Sequence, residues 1–511
     1  MSARSGWFWS AAALSENMSS AIFMRRRRYA FAVFWLLLMV TFTVPLLFNS
    51  NTPFDARTGQ PLVGAKMVMS VFGIAIEPIL APFFIIAGAP DYRIAAISCG
   101  LWLFVGTMAY VFVDERSKAF HIRCFRSFWF AFKILALFLL YLVFVLVTPL
   151  PSWSLVVNDP TSIVADLHSH TLASHDAIVT GSQSLAVHRD AGYHVVAWTE
   201  HYPGPWRSTV ATATRSSDVT PVIAGLEVNR EIDGAFWQNY YFVLLGVGSE
   251  FPLDDWLIQV HDEPTLRAFT DKIHDIARGV VLVVNKSLRE KDIQRLVAAG
   301  VDGFEIANFG HPHITPPIRD AMVAAQQSHR VGLVAVSDWH GWSSFFRTWT
   351  IVTSAGSDQH PAEQVLSALR ERQSDRIIPV VSQMFDEPSL IRKIFAPFIE
   401  TIRYAHELST ARLLSWWLWA LCSILIVRVI RYFDLRAGLT FLIMTSGGLG
   451  LALLFRGADL IVMWHLGAPH RLPLYVGLIS AASGTIGLFS AGWKTREMFL
   501  ERSLRRTQAA G

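Results

Sequence analysis

From Ile94 to Val113 the chain runs for 20 residues without a charged side chain. In a bilayer such a run has one stable form, a helix that satisfies its own backbone, and about 20 residues cross the hydrocarbon core. Comparable runs occupy Tyr29 to Phe48, Phe128 to Val147, Leu413 to Val427, Leu439 to Phe455 and Leu474 to Ala491. Met67 to Ala89 is apolar too, but Glu77-Pro78 and Pro82 interrupt it, so it spans, kinks or re-enters. Only 16% of the 511 residues are charged, against about 25% in a soluble domain. Together with 18 Trp and 35 Phe, this is the composition of a multi-pass membrane protein.

The net charge of +4 is small and the Arg-rich blocks lie beside apolar runs. They read as topology signals, and no nucleic acid partner is expected. Cys99, Cys124 and Cys422 are too dispersed for a disulfide framework or a Cys-type zinc site. No small-residue cleavage site follows the first apolar run, so no removable signal peptide is expected. The chain divides into a membrane block over 1–150 with three to four spans, a more polar domain over 151–395, and a membrane block over 396–511 with three spans and a basic tail.

Orientation follows from the basic residues. Arg428, Arg431 and Arg436, and the tail from Lys494 to Arg506, belong on the cytoplasmic side. Three crossings back from that tail place the polar domain outside, on the periplasmic or extracellular face. Arg25 to Arg28 and Arg116 to Arg126 agree with this if Met67 to Ala89 only re-enters.

Within the polar domain seven short apolar runs recur: Ile163 to Leu167, His194 to Trp198, Val222 to Leu226, Tyr241 to Leu245, Val280 to Val284, Gly303 to Ile306 and Gly332 to Val336. Helical patterns lie between several of them, at Ser182 to Ala191, Glu263 to Arg278, Glu290 to Ala299 and Pro316 to His329. Alternation of this kind predicts parallel strands with right-handed crossovers, closed into an α/β barrel whose reactive residues sit at the carboxyl ends of the strands.

Those ends are rich in metal-ligating groups. Three imidazoles and two carboxylates fall between Asp166 and Asp176, including His168, His170 and His175. Further ends carry Thr199-Glu200-His201, Gly225-Leu226-Glu227 and Ser337-Asp338-Trp339-His340. Imidazole and carboxylate suit zinc, manganese or iron, and carboxylates bridge two ions. For His188, His194, His261, His274 and His329, outside the motifs, ordinary packing is the default.

The order Asp-x-His-x-His-Thr-x-x-Ser, Thr-Glu-His, Gly-x-Glu and Ser-Asp-x-His resembles the PHP family, named for polymerase and histidinol phosphatase. The resemblance covers Val164 to Ser382. It implies a distorted seven-stranded β/α barrel, here inserted between two blocks of transmembrane helices, that hydrolyses phosphate esters with metal-activated water. It further implies that His168, His170 and Asp338 hold one ion, with Glu227 as bridge, and that His201 and His340 hold another, helped by His175 or Asp176. Two or three divalent ions are expected. Where the family usually shows Asn-His-Pro or Ala-His-Pro, this chain reads Val284-Asn285-Lys286-Ser287, and a charged Lys cannot ligate a metal but can hold a phosphate. Glu305 and Asn308 match family positions, and His311 or His313 is placed to compensate from the next loop. His201, His340 and Asp338 are the candidate catalytic residues, and Lys286, Arg207 and Arg230 the candidate substrate contacts.

Confinement between membrane blocks points to a phosphorylated, lipid-linked substrate at the bilayer surface. The competing reading is a membrane receptor or sensor whose degraded barrel binds a phosphorylated ligand without turnover, and Lys286 is its support. Reporter fusions at Asn158 and Gly511 are expected to fall on opposite sides of the membrane; both on one side would overturn the orientation.

Overall fold

The computed structural model describes residues 52–510 apart from 206, 208–219, 230–239, 287, 312–313, 355, 357–359, 385–387, 433–436 and 467. Side chains 427–432, 437–442, 494, 497–499, 501–502 and 504–510 also fall outside the description. The expected span Tyr29 to Phe48, and with it Arg230 and His313, lies outside the described residues.

Twelve strands are described: β1 (Phe54–Asp55), β2 (Ala65–Met69), β3 (Trp153–Val157), β4 (Ile163–Ser169), β5 (Val195–Tyr202), β6 (Val222–Asn229), β7 (Tyr241–Leu245), β8 (Val280–Val283), β9 (Gly303–Asn308), β10 (Gly332–Val336), β11 (Thr348–Val352) and β12 (Ile377–Val381). Each of the seven apolar runs is a strand, because β4, β8, β9 and β10 are buried along their whole length and such strands read as unbroken hydrophobic segments. Ten strands form one sheet in the order β1-β12-β11-β4-β5-β6-β7-β8-β9-β10, and β2 pairs with β3 separately.

Direction and width depart from the expectation. β4–β5, β5–β6, β8–β9 and β9–β10 are parallel, but β7 runs antiparallel to both β6 and β8. The link from Asn229 to Tyr241 is shorter than the dozen or more residues that a parallel crossover takes, so β7 must turn back. β11 and β12 add antiparallel strands on the far side of β4, and β1 pairs with β12. The result is a curled, mixed sheet of ten strands.

Curling returns the edge strand β10 to β4 and β11. Thr350 Oγ1 accepts from Ala335 N at 2.9 Å and donates to Ala335 O at 2.9 Å, and Thr348 Oγ1 donates to Val336 O at 2.7 Å. Beyond the strand, Asp338 N donates to His168 O and His170 N to Trp339 O, both at 2.8 Å. Threonine hydroxyls and a few loop amides therefore satisfy an edge that has no ladder of its own.

Helices on the sheet's outer side match the sequence patterns, at Gly181–Asp190, Glu263–Asp275, Ile293–Ala298 and Pro316–His329. The first two begin in capping boxes, Thr180 with Gln183 and Asp262 with Thr265.

A further set of helices is largely apolar. α1 (Glu77–Ala87) has 11 residues, about 16 Å at 1.5 Å per residue, which is half a hydrocarbon core. Met67 to Ala89 is thus no full span; its start is β2. α2 (Tyr92–Asp114) and α3 (Phe120–Val147) are long and apolar enough to cross a membrane. After the sheet, α4 (Ala396–His406) meets α5 (Thr410–Tyr432) at a bend of 115°. In α6 (Ala437–His465) and α7 (Leu472–Ala510), the segments Ile443–His465 and Leu472–Trp493 also qualify as spans. α6 and α7 pack backbone to backbone: a Cβ on Gly457 would stand 2.7 Å from Gly477 O, and one on Gly484 2.5 Å from Gly450 O. Small residues permit that approach, which is how helices associate where lipid removes the hydrophobic drive.

Buried charges join the sheet to these helices. Glu77, at the start of α1, accepts from Tyr404 OH at 2.6 Å and is ion-paired to Arg412 on α5. The Arg412 guanidinium lies 4.5 Å from the Trp153 ring centroid on β3. Arg347, buried just before β11, donates to Ala87 O at the end of α1 at 2.8 Å and to Ser382 Oγ at 2.9 Å. Removing one partner of a buried pair strands the other, at a cost of about 3–5 kcal/mol. Arg412→Ala is therefore expected to lower the melting point of the solubilised chain far more than the double change Glu77→Gln with Arg412→Met; equal losses would show that the two charges are not coupled.

Candidate metal centre

The strand ends converge as the sequence predicts. His168 lies near the end of β4 and His170 just beyond it; His201 is on β5, Glu227 on β6, and Asp338 and His340 follow β10. Asp338 adopts φ of +52°, a left-handed conformation that Asp tolerates. Gly310 lies against it, and a Cβ there would stand 2.4 Å from Asp338 Oδ2.

Two sets of ligand atoms result. In the first, His168 Nε2 and His170 Nε2 are 3.0 Å apart, each 3.3 Å from Asp338 Oδ1 and 3.5 and 3.6 Å from Glu227 Oε2. In the second, His201 Nε2, His340 Nε2 and Asp176 Oδ1 form a triangle with sides of 3.2 to 3.3 Å. Tetrahedral ligands with bonds of about 2.0–2.2 Å are separated by roughly 3.3–3.6 Å. Glu227 Oε2 lies 2.8 Å from His201 Nδ1 and so touches both sets.

The neighbours fix how the rings present themselves. His340 Nδ1 faces Asp338 O at 2.8 Å, and a carbonyl only accepts, so Nδ1 carries the proton and a neutral ring turns an Nε2 lone pair inward. Ser174 Oγ donates to Glu200 Oε2 at 2.7 Å, so it accepts from His170 Nδ1 at 2.9 Å, and His170 Nε2 is likewise a lone pair. His168 Nδ1 meets Glu305 Oε1 at 2.7 Å. This is the arrangement in which an outer partner orients a ligating histidine. Asp176 Oδ1 is buried without a hydrogen bond of its own. Lone pairs facing one another at tetrahedral-edge distances, with an orphaned carboxylate oxygen beside them, fit divalent cations.

Charge makes the same demand. Burial disfavours protonation of His168, but Asp338, Glu305 and Glu227 outweigh it and hold its pKa well above the ordinary imidazole value. His201 is raised to about 10, burial being overcome by Asp176 and Glu227. Burial drives His170 down to about 3, helped by the charges on His340 and His201. Against their own burial, Glu227 and Asp338 are held below the usual carboxylate range, with the charge on His168 the largest favourable influence on each. Without a cation the carboxylates therefore rely on imidazolium protons.

Other side chains divide into supports and outliers. Asp166 binds His188 Nε2 at 3.0 Å and Ser337 N at 3.0 Å, so it braces the strand ends and His188 has a structural task. Glu200 is held by Thr171 and Ser174, and Glu305 by Asn308. Both residues of the His175-Asp176 pair reach the cluster: with His201 they form a further candidate ligand group whose atoms lie within 4.8 Å of one another, and the exposed His175 ring is tilted against His201 with centroids 5.0 Å apart. Lys286 Nζ donates to Tyr241 OH at 3.1 Å, and His311 Nε2 approaches Asp338 Oδ2 at 3.7 Å. Arg207 is not aimed at the cluster: it binds Phe251 O at 3.4 Å and Asp254 at 3.2 Å.

No family model and no curated protein matches the chain. Among solved structures it is similar to an amidohydrolase from Chromobacterium violaceum with bound sulfate and no metal, at 17% identity over 42% of this chain and 97% of that one, with a TM-score of 0.25. A likeness of that extent leaves the reading to the residues themselves.

Ligation by His168 or His201 requires each to give up a proton that its carboxylate neighbours hold at neutral pH. Zinc or manganese binding is thus expected to release about one to two protons and to tighten as pH rises from 6 to 8. Calorimetry in buffers of different ionisation heat checks this; pH-independent binding without proton release would contradict it.

Proposed function

We propose that this chain is a membrane-anchored, metal-dependent hydrolase of phosphate esters, built on a PHP-type barrel. The observation that carries the reading is the pair of adjoining ligand sets, His168/His170/Asp338 with Glu227 on one side and His201/His340/Asp176 on the other, linked where Glu227 Oε2 meets His201 Nδ1. When bound there, divalent ions supply Lewis acidity and a water whose pKa falls to about 7.

The chain's own residues supply the rest. Glu305 and Ser174 set the ring orientations of His168 and His170, so the ligand geometry is prepared before any ion arrives. The Ser174 hydroxyl is committed to Glu200 and accepts from His201 N at 3.0 Å, so it is a poor nucleophile and attack falls to water. Motif order favours a phosphate ester over an amide, and the Lys286 ammonium offers a point charge to a phosphoryl oxygen. Where His340 or His201 is not committed to an ion, its ring stands on the side open to Asp176 and can protonate a leaving oxygen there.

The location suggests the substrate. Leu172, Ile178 and Trp342, next to the cluster, pack against Leu453, Leu460, Met463 and Val476 of the apolar hairpin α6–α7. A phosphate carried on a membrane lipid would meet the centre at the bilayer surface, on the outer face if the positive-inside count holds. The purified chain with added zinc or manganese is expected to hydrolyse p-nitrophenyl phosphate or its bis ester. His168→Ala and Asp338→Asn should each lower kcat/KM by about 100-fold or more along with bound metal; unchanged turnover in either variant would sink the reading.

A further inference from the structure

The connection between α6 and α7 brings a histidine to the candidate metal centre. His470 stands just before α7, with its ring against the backbone of Leu172 and Ser174 and within electrostatic reach of His175 and Asp176. Both ring nitrogens are shielded from solvent, and the backbone of Leu172 and Ser174 beside them stands outside hydrogen-bond geometry. On a half-buried imidazole, two shielded nitrogens left unused are costly unless something binds them. His168, His170, His201 and His340 are engaged, through Glu305, Ser174, Glu227 and Asp338 O respectively.

Its position is fixed from three sides. The glycine contacts between α6 and α7 set the hairpin, whose end carries the connection. Arg456 on α6 donates from Nε to Val147 O at 2.7 Å and from Nη2 to Ile178 O at 3.5 Å, tying the hairpin to the loop that bears Asp176. Trp342 Nε1 donates to Asp176 O at 2.9 Å while its ring packs on the same hairpin. The loop holding one ligand set is thus clamped against the membrane helices that deliver His470.

We propose that the α6–α7 connection forms one wall of the active site, and that His470 is a substrate-binding residue donating an N–H hydrogen bond to a phosphoryl oxygen held beside Asp176. In either protonation state the ring keeps at least one N–H to give. The ligand class is a phosphate ester presented at the bilayer surface, and the assignment rests on the hydrolytic reading above.

The test measures binding of inorganic phosphate to the full chain loaded with manganese, by calorimetry in detergent, beside metal content. A charge-assisted hydrogen bond is worth enough that His470→Ala should weaken phosphate about tenfold or more, with bound manganese unchanged, while His470→Gln, which keeps a donor, recovers part of the loss. Equal affinity in wild type and His470→Ala overturns the proposal. So does a parallel loss of manganese, which would make His470 a ligand instead. Wild type that binds phosphate but turns over no phosphate ester defeats the hydrolytic reading, yet leaves the His470 comparison to decide the wall. Competition by vesicles containing phosphatidic acid would assign the wall to lipid phosphate; displacement only by soluble phosphate esters would support it for those.

Discussion

Four imidazoles and three carboxylates crowd the mouth of the sheet, and their charges must balance there. Much of the surrounding polar structure follows from that requirement. Asp166, Glu200 and Glu305 are also buried, yet each is turned away from the centre and spent on holding a ring or a loop: Asp166 on His188 and Ser337, Glu200 on Thr171 and Ser174, Glu305 on His168. Burial raises the pKa of Glu200 and Glu305, so these two carry their charge less readily than Glu227 and Asp338, which face the imidazoles. The bonds made by Asp166, Glu200 and Glu305 specify one arrangement of the centre, since a half-made alternative leaves further polar groups unpaired.

The same economy appears where sheet meets helices. Arg412, paired to Glu77 on a neighbouring helix, lies over Trp153 of β3, Arg347 before β11 reaches the last carbonyl of α1, and Arg456 on α6 reaches Ile178 O in the loop after β4, so each places a charged group from one part against the other. Such pairs contribute little net stability, but they penalise any docking that separates them. The polar domain is therefore held in one pose against the apolar helices, and the centre keeps a fixed distance from the hairpin surface.

Motif residues were legible in the sequence because their chemistry is local: His168, His170, Glu227, Asp338 and His340 are brought together by strands that are continuous apolar runs. The reversal of β7 was not legible, since run length and composition are the same for either direction and only the short link after Asn229 betrays it. β11 and β12 were missed because Thr348, Thr350 and Pro379 break the apolar pattern, although those threonines are what close the sheet. Glu77 was visible as an oddity in an apolar stretch, and its partner Arg412, 335 positions away, was not. His470 had no signal at all; nothing near it in the chain suggests that it meets the Leu172 to Asp176 loop.

The pairing of β1 with β12 has a consequence for how the molecule is made. Phe54 and Asp55 leave the ribosome long before Val380 and Val381, their partners in the register. Until the last strand emerges, the earlier one has only its local bridge to Pro61, and the cost of closing so long a loop is entropic. If α2 and α3 are already inserted by then, the bilayer tethers the near end of that loop and shortens the search. Insertion then serves as a step of folding, and the order of synthesis, more than any single contact, sets when the sheet can be completed.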